Sequence, residues 1–313
     1  MKKEDKIYIA GHAGLIGSAL LRELKANNYK NIITKTHREL DLCDQVAVHK
    51  FFKTERPEYV INAAAKVGGI GANISYPAQF IYENLVIQAN IIHHSYIYGV
   101  KKLLCFGSAC VYPRWSSQPI KEEYLLSGYL EPTNEPYAVA KIAGIKICEA
   151  YNRQYNTNFI CPVPTNTYGP NDNFDPNDAH VVSALIRRLH EAKIKREATV
   201  TVWGTGNPRR EFLYVDDLAD ACIFLMQHYN KPDIINIGTG KDISIKELAH
   251  IIKEVTGYRG KVIFDPSKPD GIPRKLLDIS KLRRLGWRAK TNLREGITKT
   301  YKWYLKHSKE IAD

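Results

Sequence analysis

A parallel β-sheet covered by helices on both faces, the α/β class, is the fold this sequence predicts, and three observations carry the prediction. Residues 7–27 run from an apolar strand through a glycine turn into an amphipathic helix. Six or seven strand–helix alternations follow up to PTNTYG at 164–169, and such alternation builds parallel sheets with both faces buried. The 313 residues, 44% hydrophobic and 25% charged, suffice for one large domain and a smaller one. No apolar run approaches the ~20 residues that cross a bilayer. The opening MKKEDKIYIAG passes from charge straight into a strand, so a cytoplasmic protein without a membrane partner is expected. Cys43, Cys105, Cys110, Cys148, Cys161 and Cys222 form no C-x-x-C pair, which argues for reduced, mostly buried thiols over zinc or disulfides. The net charge of +12 is dispersed, so an anionic small molecule is expected as partner and nucleic acid is not.

In chain order, KIYIAGHAGLIGSALLRELKANNY gives a buried strand (Ile7 to Ala10) and a helix with Leu15, Ile16, Ala19, Leu20 and Leu24 inward. Between them stand Gly11, Gly14 and Gly17. The first takes the tight turn, the second lets a pyrophosphate approach, and the third lets helix pack on strand, with helix N-terminal amides facing the phosphates. This is a dinucleotide site, so the sheet is expected to be the Rossmann-type doubly wound form. The second strand, in NIITKTHRELDL, ends near Thr34 to Thr36, and Lys35, His37 and Arg38 precede the first acid, Glu39. Positive charge there favours a ribose 2′-phosphate and hence NADP(H). EYVINAAAK is the third strand, its exit small at Asn62 to Ala65 and extended by Gly68-Gly69. A helix over Asn84 to Tyr98 stops at Gly99. KLLCFGS then leads into GSACVYP, where Ser108 and Cys110 are expected on one side of an extended chain.

The segment TNEPY enters a helix that carries Tyr137 and Lys141 four apart, on one face. With a cofactor turn upstream and Ser108 at a strand end, they read as a proton-transfer group for carbonyl/alcohol redox chemistry. The lysine charge is expected to lower the phenol toward neutrality, with Ser108 bonding the substrate oxygen. After Tyr168, helices mix with the short strands TVTVWG and KVIFDP, and Asp216-Asp217 reads as a helix N-cap. The expected division is a cofactor domain over 1–168, rejoined by 212–240, and a smaller α/β C-terminal substrate domain over 169–313. The site lies at the carboxyl ends of the strands.

HAGLIGSA, NAAAKVGGI, YPAQFIYEN, GSACVYP, LEPTNEPYAVAKIAGIK, PTNTYGPNDNF, WGTGNPRREFLYVDD and SKPDGIPRKLLD occur in that order over nearly the whole chain. In these motifs the sequence resembles the GDP-L-fucose synthase family of the extended short-chain dehydrogenases/reductases. The resemblance implies a GDP-linked 4-keto-6-deoxy sugar as substrate, C3 and C5 epimerised through an enolate, and C4 then reduced with NADPH. It gives Cys110 and His180 the proton exchange. A thiol near pKa 8.5 needs only modest lowering to act as base, and a helix N-terminus at His180 is expected to disfavour imidazolium and ease proton release.

The resemblance also implies that NADP(H) meets Gly11, His12, Ala13, Gly14, Leu15, Ile16 and Gly17, then His37, Arg38 and Asp41. Further along come Ala64, Phe106, Gly107, Lys141, Pro164, Thr165, Asn166, Thr167 and His180. The substrate falls to Arg188, Trp203, Arg210, Asp270 and Lys275. Arg187 and Arg209 are adjacent rivals that periodicity does not separate. Two departures stand out: Ala109 replaces the serine usual in the family, and Thr167 stands where a larger apolar residue is common. They raise the alternative of a C4-reductase acting on a related GDP-4-keto-hexose or GDP-4-keto-heptose. The nearly all-round apolar helices at 84–98 and 137–150 imply a homodimer through a four-helix interface, common in the superfamily.

Overall fold

The computed structural model describes residues 1–176, 178–268 and 270–312. Short apolar runs buried along their length make the central strands β1 (Ile7–Ala10), β3 (Tyr59–Asn62) and β4 (Lys102–Cys105), while β2 (Ile32–Thr34) lies half-buried at the edge. Between them run α1 (Leu15–Ala26), α2 (Gln45–Glu55), α3 (Ile70–Ser75) and α4 (Pro77–Ile97); α5 (Glu135–Tyr155) then leads to β5 (Phe159–Ile160). The sheet is parallel throughout, in the order β2-β1-β3-β4-β5. The side-chain period of two divides its faces. Tyr8 and Ala10 enter an apolar layer with Phe52, Ile91 and Ile145 from α2, α4 and α5. Ile7 and Ile9 enter the opposite layer with Leu20 and Leu24 of α1.

The next strands are β6 (Pro162–Pro164) and β7 (Asn166–Tyr168), followed by α6 (Val181–Lys195), β8 (Thr199–Trp203), β9 (Arg209–Tyr214) and α7 (Val215–His228). β10 (Ile235–Ile237) pairs in parallel with β6, and α7 packs beside α1 in the second layer through Leu218, Cys222 and Leu225. β11 (Asp242–Ser244), α8 (Ile245–Thr256), β12 (Lys261–Asp265), β13 (Arg274–Lys275), α9 (Ser280–Arg284) and α10 (Leu293–Ala312) complete the chain. β9 pairs with β7, β11 and β13, and β8 pairs with β12. A third core fills this region, with Leu185 and Leu189 of α6 against Val200, Leu248, Ile252 and Ile297.

Three readings of the sequence change. Before Tyr168 there are four complete alternations, not six or seven, because Pro162 and Pro164 leave FICPVP as short strands without a helix between them. The helix expected from Asn84 begins at Pro77, a favoured first position, and ends as expected before Gly99, which adopts φ 67°. Asp216 and Asp217 do not cap α7, whose N-cap is Tyr214. Asp216 pairs with Arg22 at 2.7 Å, and Asp217 accepts from the Lys290 and Thr291 amides at 3.0 and 2.8 Å. Their charge still suits the first helical turn.

Candidate active site

The glycine turn is built by close approach. Gly11 has φ +76°, and a Cβ there would sit 2.7 Å from the Ala64 backbone, while a Cβ at Gly17 would strike the Gly11 carbonyl. At Gly14, the N-cap of α1, the nearest atom to such a Cβ is 3.7 Å away. The open position is therefore the one at the helix N-terminus, with Ala13 exposed and Leu15 and Ile16 half-buried around it. The His12 Nδ1 atom is buried there without a hydrogen-bond partner. An orphaned donor or acceptor beside free helix amides fits a dinucleotide phosphate.

Past the end of β2, Glu39 does not serve as a ribose acceptor, because its carboxylate folds back on the Thr36 amide and hydroxyl, both at 2.7 Å. His37, 83% exposed at its side chain, lies 3.9 Å from Asp41, which also accepts from the Cys43 amide at 2.8 Å. Arg38 is exposed on the same turn. The charge offered at this edge is thus basic, which suits a 2′-phosphate. On the other side, Gly107 donates to the Pro162 carbonyl at 2.9 Å and Thr165 to the Ile237 carbonyl at 2.9 Å. Asn166 donates to Glu211 O at 2.9 Å and Thr167 to Thr165 O at 3.1 Å, lining up the exits of β4 and β6 with Pro164 at the end of the latter.

The stretch after β4 is not extended. Ser108 caps a 3₁₀ turn over Ala109–Val111, and Cys110 is buried within it. Ser108 nevertheless reaches both the Tyr137 phenol and the Cys110 thiol, and it favours the ionised form of each. Lys141 lies with Nζ 5.7 Å from the centre of the Tyr137 ring and donates to the Phe106 carbonyl at 3.2 Å.

The proton affinities differ from the sequence expectation. Burial drives the Tyr137 phenol up rather than down, helped by the Cys110 thiol. Burial also raises Cys110, with the Lys275 charge the strongest opposing influence, followed by Ser108 and Lys141. Lys141 itself is pushed down by burial. At Cys110, desolvation outweighs both neighbouring cations.

His180 caps the N-terminus of α6, 3.9 Å from Asp172, and its imidazole is raised, chiefly through Asp172. A helix N-terminus alone would have lowered it; the carboxylate wins.

Arg187 donates to Glu191 at 2.7 Å and to the Phe174 carbonyl at 3.1 Å, leaving Arg188 to face Thr201 O and a cavity of about 280 Å³. Arg209 is held by Asp242 at 2.9 Å and approaches Glu247 at 3.5 Å. Arg210 instead feels Asp270 and Glu131, and its strand partner Lys275 feels Cys110, Arg210 and Glu131. Cys110, Lys275, Arg210 and Asp270 therefore form one chain of electrostatic neighbours. Asp270 accepts from the Thr205 amide and hydroxyl at 2.6 and 2.7 Å, so it anchors the turn after β8. Trp203, 67% exposed, stands at the end of that strand.

Two residues went unnoticed in the sequence. Glu131, 3.2 Å from Arg114, adds a carboxylate that acts on Arg210 and Lys275, and Asp172 pairs with His180. Both stand in motifs singled out for other residues, and no spacing rule marks them.

Residues 7–238 match the NAD dependent epimerase/dehydratase family profile. The chain is 57% identical over 305 residues to GDP-L-fucose synthase 1 of Arabidopsis thaliana, covering 97% of this chain and 94% of the relative. Its fold is similar to a GDP-6-OMe-4-keto-L-xylo-heptose reductase from C. jejuni, with a TM-score of 0.94, 42% identity and coverage of 98% and 99%. It is also similar to a GDP-L-fucose synthetase from Naegleria fowleri bound to NADP, with a TM-score of 0.92, 30% identity and coverage of 99% and 96%.

Proposed function

The chain belongs to the NAD dependent epimerase/dehydratase family, among the GDP-L-fucose synthases, and from that premise we propose how its residues divide the work. It is an NADPH-dependent oxidoreductase of nucleotide sugars that epimerises a GDP-4-keto-6-deoxy sugar at C3 and C5 and reduces C4. The turn at Gly11 to Gly17, the basic edge at His37 and Arg38, and the Phe106-Gly107 and Pro164 to Thr167 exits hold the cofactor. When bound, NADPH supplies the hydride for C4.

C3 and C5 flank the ketone, so loss of either hydrogen gives an enolate. The Cys110 thiolate takes the proton, and His180 returns one to the opposite face. Tyr137 then donates to the C4 oxygen while Ser108 holds that oxygen, and Lys141 favours ionised Tyr137 as the proton leaves. Arg188, Arg210 and Lys275 hold the diphosphate end, with Trp203 as an apolar wall and Asp270 fixing its turn. One observation carries this reading: Ser108 lies near enough to Tyr137 and Cys110 to favour the ionised form of each, so the redox and proton-exchange groups serve one bound sugar. Incubation in deuterium oxide without NADPH tests it. Label at C3 and C5 is expected; its absence leaves a C4-reductase, the activity named for the heptose enzyme of similar fold.

We further infer a cofactor unit over 1–168 with 212–240, and a substrate unit over 169–313, supported by α7 beside α1 and β10 beside β6. A homodimer follows from the α4–α5 pair, which packs together and exposes Tyr82, Ile97, Val139 and Tyr155. Sedimentation as a monomer at micromolar concentration defeats this. Among the described residues no helix is long and apolar enough to cross a membrane. A reducing cytoplasm suits a base that must stay a free thiol.

A further inference from the structure

We infer that Asp172 is the positioning residue for His180: it holds the Nδ1 side of the imidazole and so leaves Nε2–H to serve as the proton donor to substrate. The inference rests on the role given to His180 above. His180 Nδ1 lies 3.9 Å from Asp172 Oδ1, and the Asp172 side chain is only 3% exposed. The carboxylate is fixed from other directions. Ser183, one turn into α6 from His180, donates to Oδ2, and the Asn173 amide donates to Oδ1 at 2.9 Å. The Asp172 amide in turn donates to the Gly169 carbonyl at 3.3 Å. The first turn of α6 therefore grips a buried anion through Ser183 and presents His180 to the same anion.

With Nδ1 on the Asp172 side, Nε2 is the nitrogen left for substrate. Among the described residues, Asp172 is the charge that raises the His180 imidazole. Asp175 and Asp178 lie on the same loop, Arg187 is committed to Glu191 and Phe174, and α3, next to Asp178 through Gly69, carries no titratable side chain. The helix N-terminus opposes a proton on His180, and the carboxylate reverses that effect.

In the step itself, the Cys110 thiolate takes the substrate C–H proton and becomes a thiol, and the C–H electron pair becomes the enolate. His180 then passes its Nε2 proton to that carbon from the other side and is left as neutral imidazole. The thiol then releases its proton to solvent and the imidazole takes one up, which resets both groups with nothing oxidised or reduced.

The test is an NMR titration of His180 in the full-length protein, for wild type, Asp172→Asn and Asp172→Glu, beside the pH dependence of deuterium wash-in. Asp172→Asn is expected to lower the His180 midpoint by about one unit or more, with Asp172→Glu restoring most of it. Wash-in above about pH 7 should fall roughly tenfold in Asp172→Asn and converge on wild type toward acid pH. Reduction of a substrate whose centres are already inverted should keep its rate. An unchanged His180 midpoint, or wash-in lost equally at every pH without rescue by glutamate, overturns the inference. Should Asp172→Asn fail to fold, the wild-type midpoint decides: above an ordinary histidine supports the pair, at or below it refutes the pair. Absence of wash-in in wild type would remove the epimerase reading itself, whereas the titration judges the pair independently.

Discussion

A methyl group at position 17 would run into the Gly11 carbonyl oxygen, whereas the same group at position 14 would only make ordinary contact with it at 3.7 Å. Gly17→Ala is therefore expected to displace the turn and weaken NADPH binding by tenfold or more in a fluorescence titration, about 1.4 kcal/mol. The close approach at the glycine turn was legible in the sequence because its constraint is local, and so was the proximity of Ser108, Tyr137 and Lys141. The proton affinities were not, because burial is a property of the folded chain: Tyr137 moves up through burial and the Cys110 thiol, and Cys110 moves up although its neighbours alone would move it down. Asp172 and Glu131 were hidden for a related reason, since each acts through space from an irregular loop. Tyr137→Phe removes the proposed proton donor and should cost about a hundredfold or more in C4 reduction, yet leave deuterium exchange at C3 and C5 in place.

At the scale of elements, α4 and α5 meet through Gly144, where a Cβ would collide with the Gln88 carboxamide. Gln88 meanwhile donates to Asn84 O and Ala140 O at 2.8 and 3.0 Å, joining the two helices. Gly144→Ala should separate them and lower the melting temperature, despite the better helix propensity of alanine. A second junction lies at the end of α7. The buried Lys102 ammonium donates to the carbonyls of Leu225, Met226 and Tyr229 and to Asn230 at 2.6–3.0 Å. Burial lowers it to about 8, and the helix C-terminus is what makes a cation tolerable there. Lys102→Met leaves those acceptors unsatisfied and should destabilise the fold by about 1–3 kcal/mol in urea unfolding. Sequence patterning placed α5 correctly in chain order but missed the first seven residues of α4, about two turns, because PAQFIYE carries little apolar periodicity and its signal is the proline at Pro77.

For the whole molecule, stability and pH are linked through histidines of opposite sign. His94 is buried among Phe52, Tyr98, His49 and His93, and burial lowers it from 6.5. The unfolded chain then takes up the proton more readily, so His94 contributes stability above about pH 6.5 that is lost as pH falls. His180 is raised, so its contribution is present below 6.5 and lost as pH rises through the folded value; half-exposure keeps it small. Net loss of thermal stability below about pH 6 is the expected result, relieved in His94→Phe. NADPH at about a hundred times its Kd should add ~2.7 kcal/mol, and NADH at equal concentration less, if the basic edge at His37 and Arg38 holds the 2′-phosphate.

The most direct measurement follows deuterium at C3 and C5 and hydride at C4 in one Cys110→Ser preparation, given both the 4-keto substrate and its already epimerised form. Exchange should vanish while the epimerised ketone is still reduced at near the wild-type rate. Exchange that persists without the thiol, or reduction lost along with it, would contradict a single sugar site shared by two separate proton paths.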